Sequence, residues 1–205
     1  MCGITGYLAT SDSSDTEIIS DVEKMTLSMS RRGPDASGIW ISRNKNIVLG
    51  HRRLSIIDLS ANANQPMIND DESLSLVFNG EIYNFLELKK KLKNKGYMFS
   101  TKSDTEVIIK MFDCYGEKSV EFFEGMWAFV IFDTKSKSLF LSRDRFGEKP
   151  IFYYKTDYGF YFASDVSFIG SLAEKKFLIN MRKIQRFLVN GYRSLNKFND
   201  NFFED

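Results

Sequence analysis

Two helix-patterned stretches stand back to back in the middle of this chain, and four strand-patterned stretches follow with only turns between them. No other feature restricts the fold as much. Parallel strands need a crossover of a dozen or more residues, usually a helix. The run Met126–Asp133, Ser138–Arg143, Ile151–Tyr154 and Gly159–Ala163 leaves no room for one. The helix pair ahead of it carries Phe85, Leu88 and Leu92 on one face, with Gly96 as terminator, then Ile108, Met111, Phe112 and Tyr115 behind a Ser103/Glu106 capping box. Earlier in the chain, Cys2–Thr10 reads as a short buried strand. A capping box of Ser14 and Glu17 and the spacing of Ile18, Val22, Met25 and Met29 predict a helix from about Asp15 to Ser30, ended by Gly33-Pro34. Ser37–Arg43 and Asn46–Arg53 read as paired strands, and Leu74, Leu76 and Phe78 alternate with Ser75 and Val77 in a strand running into Asn79-Gly80. The order argues for an α+β layered domain and against a doubly wound parallel sheet.

The composition fits one such domain. Of 205 residues, 43% are hydrophobic and 15% aromatic, with 19 Phe, enough to bury a core without disulfides or metals. A net charge of +1 gives no electrostatic footprint for nucleic acid or an anionic membrane. No apolar run is long enough to span a bilayer, and no secretory signal opens the chain. Cys2 and Cys114 with the single His51 make neither a disulfide framework nor an ordinary zinc site, so we expect a cytoplasmic, metal-independent protein. Lys89, Lys90, Lys91, Lys93 and Lys95 read as a solvated helix face. After Ser164, Phe187, Leu188 and Tyr192 suggest a further helix. The adjacent Phe202 and Phe203 close to Asp205 suggest a chain cut from a longer protein.

The chemistry concentrates at the second residue. Methionine is generally trimmed before a small side chain, and Cys2 qualifies. Trimming would put a thiol and a free α-amine on one residue. The amine ordinarily titrates at about 7.7–8.0 and the thiol at about 8.5, so one residue supplies nucleophile and base. Without further support, Cys2 would read as a buried strand thiol.

The further support is distributed along the chain. Cys2-Gly3-Ile4 with Gly6 resembles the opening of the class II glutamine amidotransferases, the N-terminal nucleophile family. The remainder resembles the glutaminase domain of glutamine-dependent asparagine synthetases. The stretches that carry this are Arg32-Gly33-Pro34-Asp35, Arg53-Leu54-Ser55-Ile56-Ile57-Asp58, Gln65-Pro66, Asn79-Gly80-Glu81-Ile82-Tyr83-Asn84, Ser103-Asp104-Thr105-Glu106-Val107-Ile108, Gly125-Met126-Trp127-Ala128-Phe129 and Arg143-Asp144-Arg145-Phe146-Gly147. The resemblance implies a four-layer αββα sandwich with Cys2 as nucleophile. It implies an oxyanion hole from the Asn79 side chain and the Gly80 N–H, Arg53 on the α-carboxylate of glutamine, and Asp104 and Glu81 around its α-ammonium. Leu54, Ser55, Ile56 and Ile57 would line the pocket. A zwitterionic amino acid requires one cation and a carboxylate beyond its reacting end, and Arg suits a carboxylate because its fork pairs bidentately. Asp104 has a second reading as an acid at a helix N-terminus, and Asn79-Gly80 as a plain turn. Arg52 adjoins Arg53, and only the Leu-Ser-Ile stretch selects Arg53. His51 is set aside as a base because the amine already fills that role. Asp35 and the Arg143-Asp144-Arg145 cluster are expected to hold loops or a domain interface.

The implied reaction is glutamine plus water to glutamate plus ammonia through a thioester on Cys2. Residues 2–190 would form the amidotransferase domain. Residues 191–205 would begin a linker to a C-terminal synthetase domain that uses ATP and magnesium and amidates aspartate. No cofactor or metal is expected within this chain, and a homodimer is compatible with the family. The alternatives are an ammonia donor for amidation of a sugar or uronic acid in surface-polysaccharide synthesis, and a catalytically silent docking module. Asn62-Ala63-Asn64 stands where related chains read Ala-Gly, and Asp165 where they have Glu.

Overall fold

The structure, a computed structural model, describes residues 1–10, 16–167, 169 and 178–191. The chain divides into two units, residues 1–172 and 173–205. The first opens with β1 (Gly3–Ala9), α1 (Thr16–Ser28) and a 3₁₀ turn at Met29–Arg31, then β2 (Ala36–Ile41), β3 (Ile47–Arg53), β4 (Met67–Ile68) and β5 (Leu74–Ile82). The helices α2 (Phe85–Lys93) and α3 (Asp104–Tyr115) follow, and β6 (Gly125–Asp133), β7 (Ser138–Arg143), β8 (Phe152–Lys155) and β9 (Gly159–Ala163) close the unit. Every paired strand is antiparallel, in one sheet of order β2-β3-β1-β9-β8 and another of order β4-β5-β6-β7. The expected α+β architecture is what forms.

Strand alternation builds the layers. Along β5, Leu74, Leu76 and Phe78 pack with Leu88, Leu92, Ile108 and Met111 of α2 and α3, while Val77 points the other way. With Ala128, Val130 and Phe132 of β6, Val77 meets Ile4, Ile47, Leu49 and Phe162 from the facing sheet. The outer face of that second sheet is covered by α1, whose Val22 and Met25 are buried, with Met29 beside them. The result is helix, sheet, sheet, helix. Each fully buried Leu, Ile or Phe contributes about 1.5–3 kcal/mol.

Three local details go beyond the sequence reading or depart from it. β5 runs on through Asn79, Gly80 and Glu81 to Ile82, with Gly80 opposite Trp127 of β6. The Asn-Gly pair is therefore strand and not a turn. The capping box at α3 is half formed: the Ser103 hydroxyl accepts the Thr105 N–H at 3.0 Å. The Glu106 carboxylate turns instead to the N–H groups of Ser100 and Thr101 at 2.9 and 2.7 Å. The two-residue β4, behind Pro66, has no sequence signature of its own. Gly96, at φ +92, does end α2. Ser14, Tyr192 and residues 201–205 lie outside the described residues.

The second unit contains α4 (Met181–Asn190). The Asn180 side chain caps it by accepting the Lys183 N–H at 2.9 Å, and Gly191 ends it in the left-handed region at φ +71. Among the described residues, no helix is long and apolar enough to cross a membrane.

Candidate active site

Strand parity decides which side chains can meet. On β1, Ile4 faces the space between the sheets, so Cys2, two residues earlier, starts from the same face. On β5, Asn79 shares the face of Val77, which looks back at Ile4. On β3, Ile47 and Leu49 face inward, and His51 and Arg53 continue that series. Arg52, on the other parity, bonds the Gly33 carbonyl at 2.7 Å. Parity thus selects Arg53 over Arg52 from β3 alone.

These faces converge on a cavity of about 170 Å³. Its walls include Cys2, Arg53, Leu54, Ile56, Ile57, Asn79, Gly80, Glu81 and Asp104, all of them expected. Ser55 is not among the lining residues. Its N–H is drawn away to the Asp35 carboxylate at 2.7 Å, which ties down the segment that carries Ile56 and Ile57. The sequence reading did not assign Gln65, Asp58 or Lys149 to the site, yet all three line the cavity.

Around Cys2 Sγ, the Leu54 N–H lies at 3.4 Å and the Leu54 carbonyl at 3.7 Å. Arg32 Nε donates to the Cys2 carbonyl at 3.3 Å. Burial pushes the Cys2 thiol up, against the Leu54 N–H, the chain-start charge and Arg53, which favour the thiolate. A thiol in this state needs a base beside it to become a nucleophile.

Asn79 is 2% exposed, and its Nδ2 is buried with no hydrogen-bond partner among the described residues. Buried side-chain donors are rarely left so. On the same strand, the Phe78 N–H bonds Gln65 Oε1 at 2.6 Å and the Ile82 N–H bonds Asp104 Oδ2 at 3.0 Å, both on the edge away from β6. Backbone alternation sends the Gly80 N–H to that edge too. A Cβ at residue 80 would sit 2.2 Å from the Met126 carbonyl oxygen, so only glycine fits there. One side-chain donor and one backbone donor are thus set side by side at the cavity.

The charges beyond them are of both signs. Arg53, 7% exposed, donates to the Ser60 carbonyl at 2.7 Å, to Asn64 Oδ1 at 2.8 Å and to the Asp58 carbonyl. Its Nε–H and second Nη2–H remain for a ligand. Burial raises the Asp104 carboxyl, opposed by the N–H groups of Ile82 and Thr105, and Glu81 raises it further. A carboxylate pushed up this way is a site for a cation. The Ser60 hydroxyl and the Lys102 and Ser60 N–H groups hold Asp58 at about 2.

Other single residues prove structural. His51 is fully buried with Nε2 3.0 Å from the Phe78 carbonyl, and burial lowers it to about 3. It is therefore neutral near pH 7, and its Nε2 is the donor to Phe78. Asp144 accepts the N–H groups of Trp127, Phe146, Glu148 and Lys149 and so fixes the 145–149 loop. Cys114 is half-buried against the α2/α3 core.

Two facing antiparallel sheets between helical layers, with a thiol heading the first strand, define the class of N-terminal nucleophile hydrolases. The solved glutamine phosphoribosylpyrophosphate amidotransferase of Bacillus subtilis shares this fold at a TM-score of 0.68 and 20% identity, over 84% of this chain and 44% of that one. The chain belongs to the glutamine amidotransferase domain family, which matches residues 1–204. A protein of Methanocaldococcus jannaschii, provisionally named asparagine synthetase (glutamine-hydrolysing) 2, is 40% identical over 94% of this chain. Asparagine synthetase (glutamine-hydrolysing) 1 of Bacillus subtilis is 38% identical over 80% of it. This chain spans 40% of the first relative's length and 26% of the second's.

Proposed function

We propose that the cavity binds glutamine and that Cys2, freed of Met1, hydrolyses it to glutamate and ammonia. The observation that carries this is the orphaned Asn79 Nδ2 beside the Gly80 N–H in a cavity that also holds the thiol. Two unpaired donors aimed at one point suit an oxyanion, which exists only along the reaction path. Arg53 offers its free fork to the substrate α-carboxylate, and Asp104 with Glu81 takes the α-ammonium. That pairing favours the charged form of Asp104.

The Cys2 amine accepts the thiol proton, and sulfur attacks the side-chain carbonyl carbon. Asn79 and Gly80 hold the oxyanion. On collapse the C–N bond breaks, and the amine returns its proton to the leaving nitrogen as ammonia. Water then attacks the thioester with the amine again as base, releasing glutamate and the thiol. With Met1 attached, that nitrogen is an amide and accepts no proton, so processing is required.

The names of the relatives favour asparagine synthesis as the destination of the ammonia. An ATP- and magnesium-using synthetase domain would then lie in the same polypeptide and amidate aspartate. The free thiols suit a reducing cytoplasm. The test begins with intact mass, to establish that Met1 is gone. The processed chain should form glutamate and ammonia in equal amounts and take one equivalent of an electrophilic glutamine analogue on Cys2. Neither turnover nor label in Met1-free, reduced protein would reject the reading.

A further inference from the structure

Lys149 is a buried charged side chain that the chemistry above does not employ. It is 9% exposed, lines the cavity with Cys2, and places Nζ 3.8 Å from Met1 Sδ. No carboxylate pairs with it among the described residues, whereas the buried Lys110 has both Asp70 and Glu106. Its backbone is fixed at both ends: Asp144 holds the N–H at 2.9 Å, and Arg143 Nε holds the carbonyl at 3.0 Å. A desolvated ammonium without a partner costs stability, which calls for a reason to keep it.

Other charged groups also surround the chain start. Arg53 comes from β3, Asp58 from the loop after it, Glu81 from β5, Asp104 from α3, and Arg32 from the segment after α1. The glutamine carboxylate would pair with Arg53, and its ammonium would sit between Glu81 and Asp104, two carboxylates for one cation. Asp58 is taken by Ser60 and Lys102; Arg32 Nε bonds the Cys2 carbonyl, and its buried Nη2 has no hydrogen-bond partner among the described residues, so Arg32 is a second cation near the chain start. Lys149 faces the chain start with no carboxylate within ion-pair distance among the described residues.

We propose that Lys149 is a positioning residue that acts through the Cys2 amine. The inference rests on the proposed Cys2 chemistry. A positive charge near an amine disfavours its protonated form, so Lys149 keeps the α-amine neutral and able to take the thiol proton near pH 7.

Two readouts on Met1-free protein test it. In a Cys2→Ser background, the pH dependence of acylation by a limiting amine reagent, read on the N-terminal peptide, gives the amine pKa without any turnover. In the Cys2 protein, the acid limb of kcat/KM for glutamine reports the base. The parent amine should titrate below its ordinary range of about 7.7–8.0. Lys149→Met and Lys149→Gln should raise it by about one unit, and Lys149→Arg should restore it. The acid limb should move equally, so kcat/KM falls about tenfold near pH 6.5 and little near pH 8.5. A parent amine at or above about 8, or neutral variants within about 0.2 unit of the parent, overturns the proposal. The parent measurement decides even if a variant misfolds. A shifted amine in a chain that never hydrolyses glutamine would instead reject the glutaminase reading and leave only the effect of Lys149 on the amine.

Discussion

Asn79→Ala should separate activity from stability in an unusual direction. In the resting structure, Asn79 Nδ2 is sealed from water with nothing to bond. An unsatisfied buried donor costs about 1–3 kcal/mol. Removing it recovers that cost, less about 1 kcal/mol for the lost packing of a small side chain. The net change in folding free energy should therefore fall between about 0 and 2 kcal/mol in favour of the variant. For a unit of this size, that is a rise in Tm of about 0–8 °C. Catalysis should move the other way. Loss of one oxyanion donor costs about 2.7–4 kcal/mol in the transition state, so kcat should fall about 10²–10³-fold with KM little changed. Calorimetry and steady-state glutaminase assays on Met1-free protein, with processing checked by mass, provide both numbers. A kcat within about tenfold of the parent would remove Asn79 from the oxyanion hole. A Tm lowered by more than about 4 °C would mean that the amide has a structural partner, and the orphan argument would fail.

Arg53→Ala should raise KM for glutamine by about 10–100-fold with a smaller loss in kcat, and an unchanged KM would deny it the α-carboxylate. The variant should also lower Tm, since Arg53 ties the 58–64 loop through Ser60, Asn64 and Asp58. Asp104→Asn, compared with its parent in a Cys2→Ala background without glutamine, tests the electrostatics. The folded-state pKa of Asp104 is raised, so its contribution to stability is full below the ordinary carboxylate pKa and is lost as pH rises through the folded value. The asparagine variant should then gain Tm over the parent near neutrality, and the gain should vanish in acid; a gain that persists in acid would contradict the shift. Gly80→Ala should both destabilise the domain and abolish turnover, because its methyl meets the Met126 carbonyl. Wild-type Tm in that variant would refute the steric argument.

Much of this site was legible because the family resemblance carries roles onto ordered stretches of the sequence. Cys2, Arg53, Glu81 and Asp104 are far apart in sequence, yet the structure brings them to one cavity. Where the local pattern left alternatives open or fell short, the neighbouring layer decided. Asn79-Gly80 carries turn chemistry, but β6 pairs with it as strand, and the close approach of Met126 explains the glycine. Ser103 and Glu106 have capping-box spacing, but Ser100 and Thr101 offer the carboxylate four donors and win it. Ser55 falls between two lining residues and is turned away by Asp35, a contact twenty positions distant that no local pattern encodes. Lys149 left no local signal; only the fold of the Asp144 loop brings it to the chain start. The choice between Arg52 and Arg53, by contrast, could have been made from β3 parity.

The short β4 explains why a reactive site can exist at the edge of a sheet. It pairs only with Leu76 and Ser75, so from Phe78 onward β5 presents unpaired backbone groups. Exposed edges of this kind invite pairing with another chain. Here side chains close the edge on either side of one residue: Gln65 takes the Phe78 N–H, His51 lies against the Phe78 carbonyl, and Asp104 takes the Ile82 N–H. Between these plugs only the Gly80 group faces the cavity, where no acceptor is offered to it among the described residues. Blocking all three positions would make a quieter edge and no oxyanion hole; blocking none would leave a strand open to association. A lengthened β4, reaching Gly80, should therefore silence glutamine hydrolysis while the sandwich still folds.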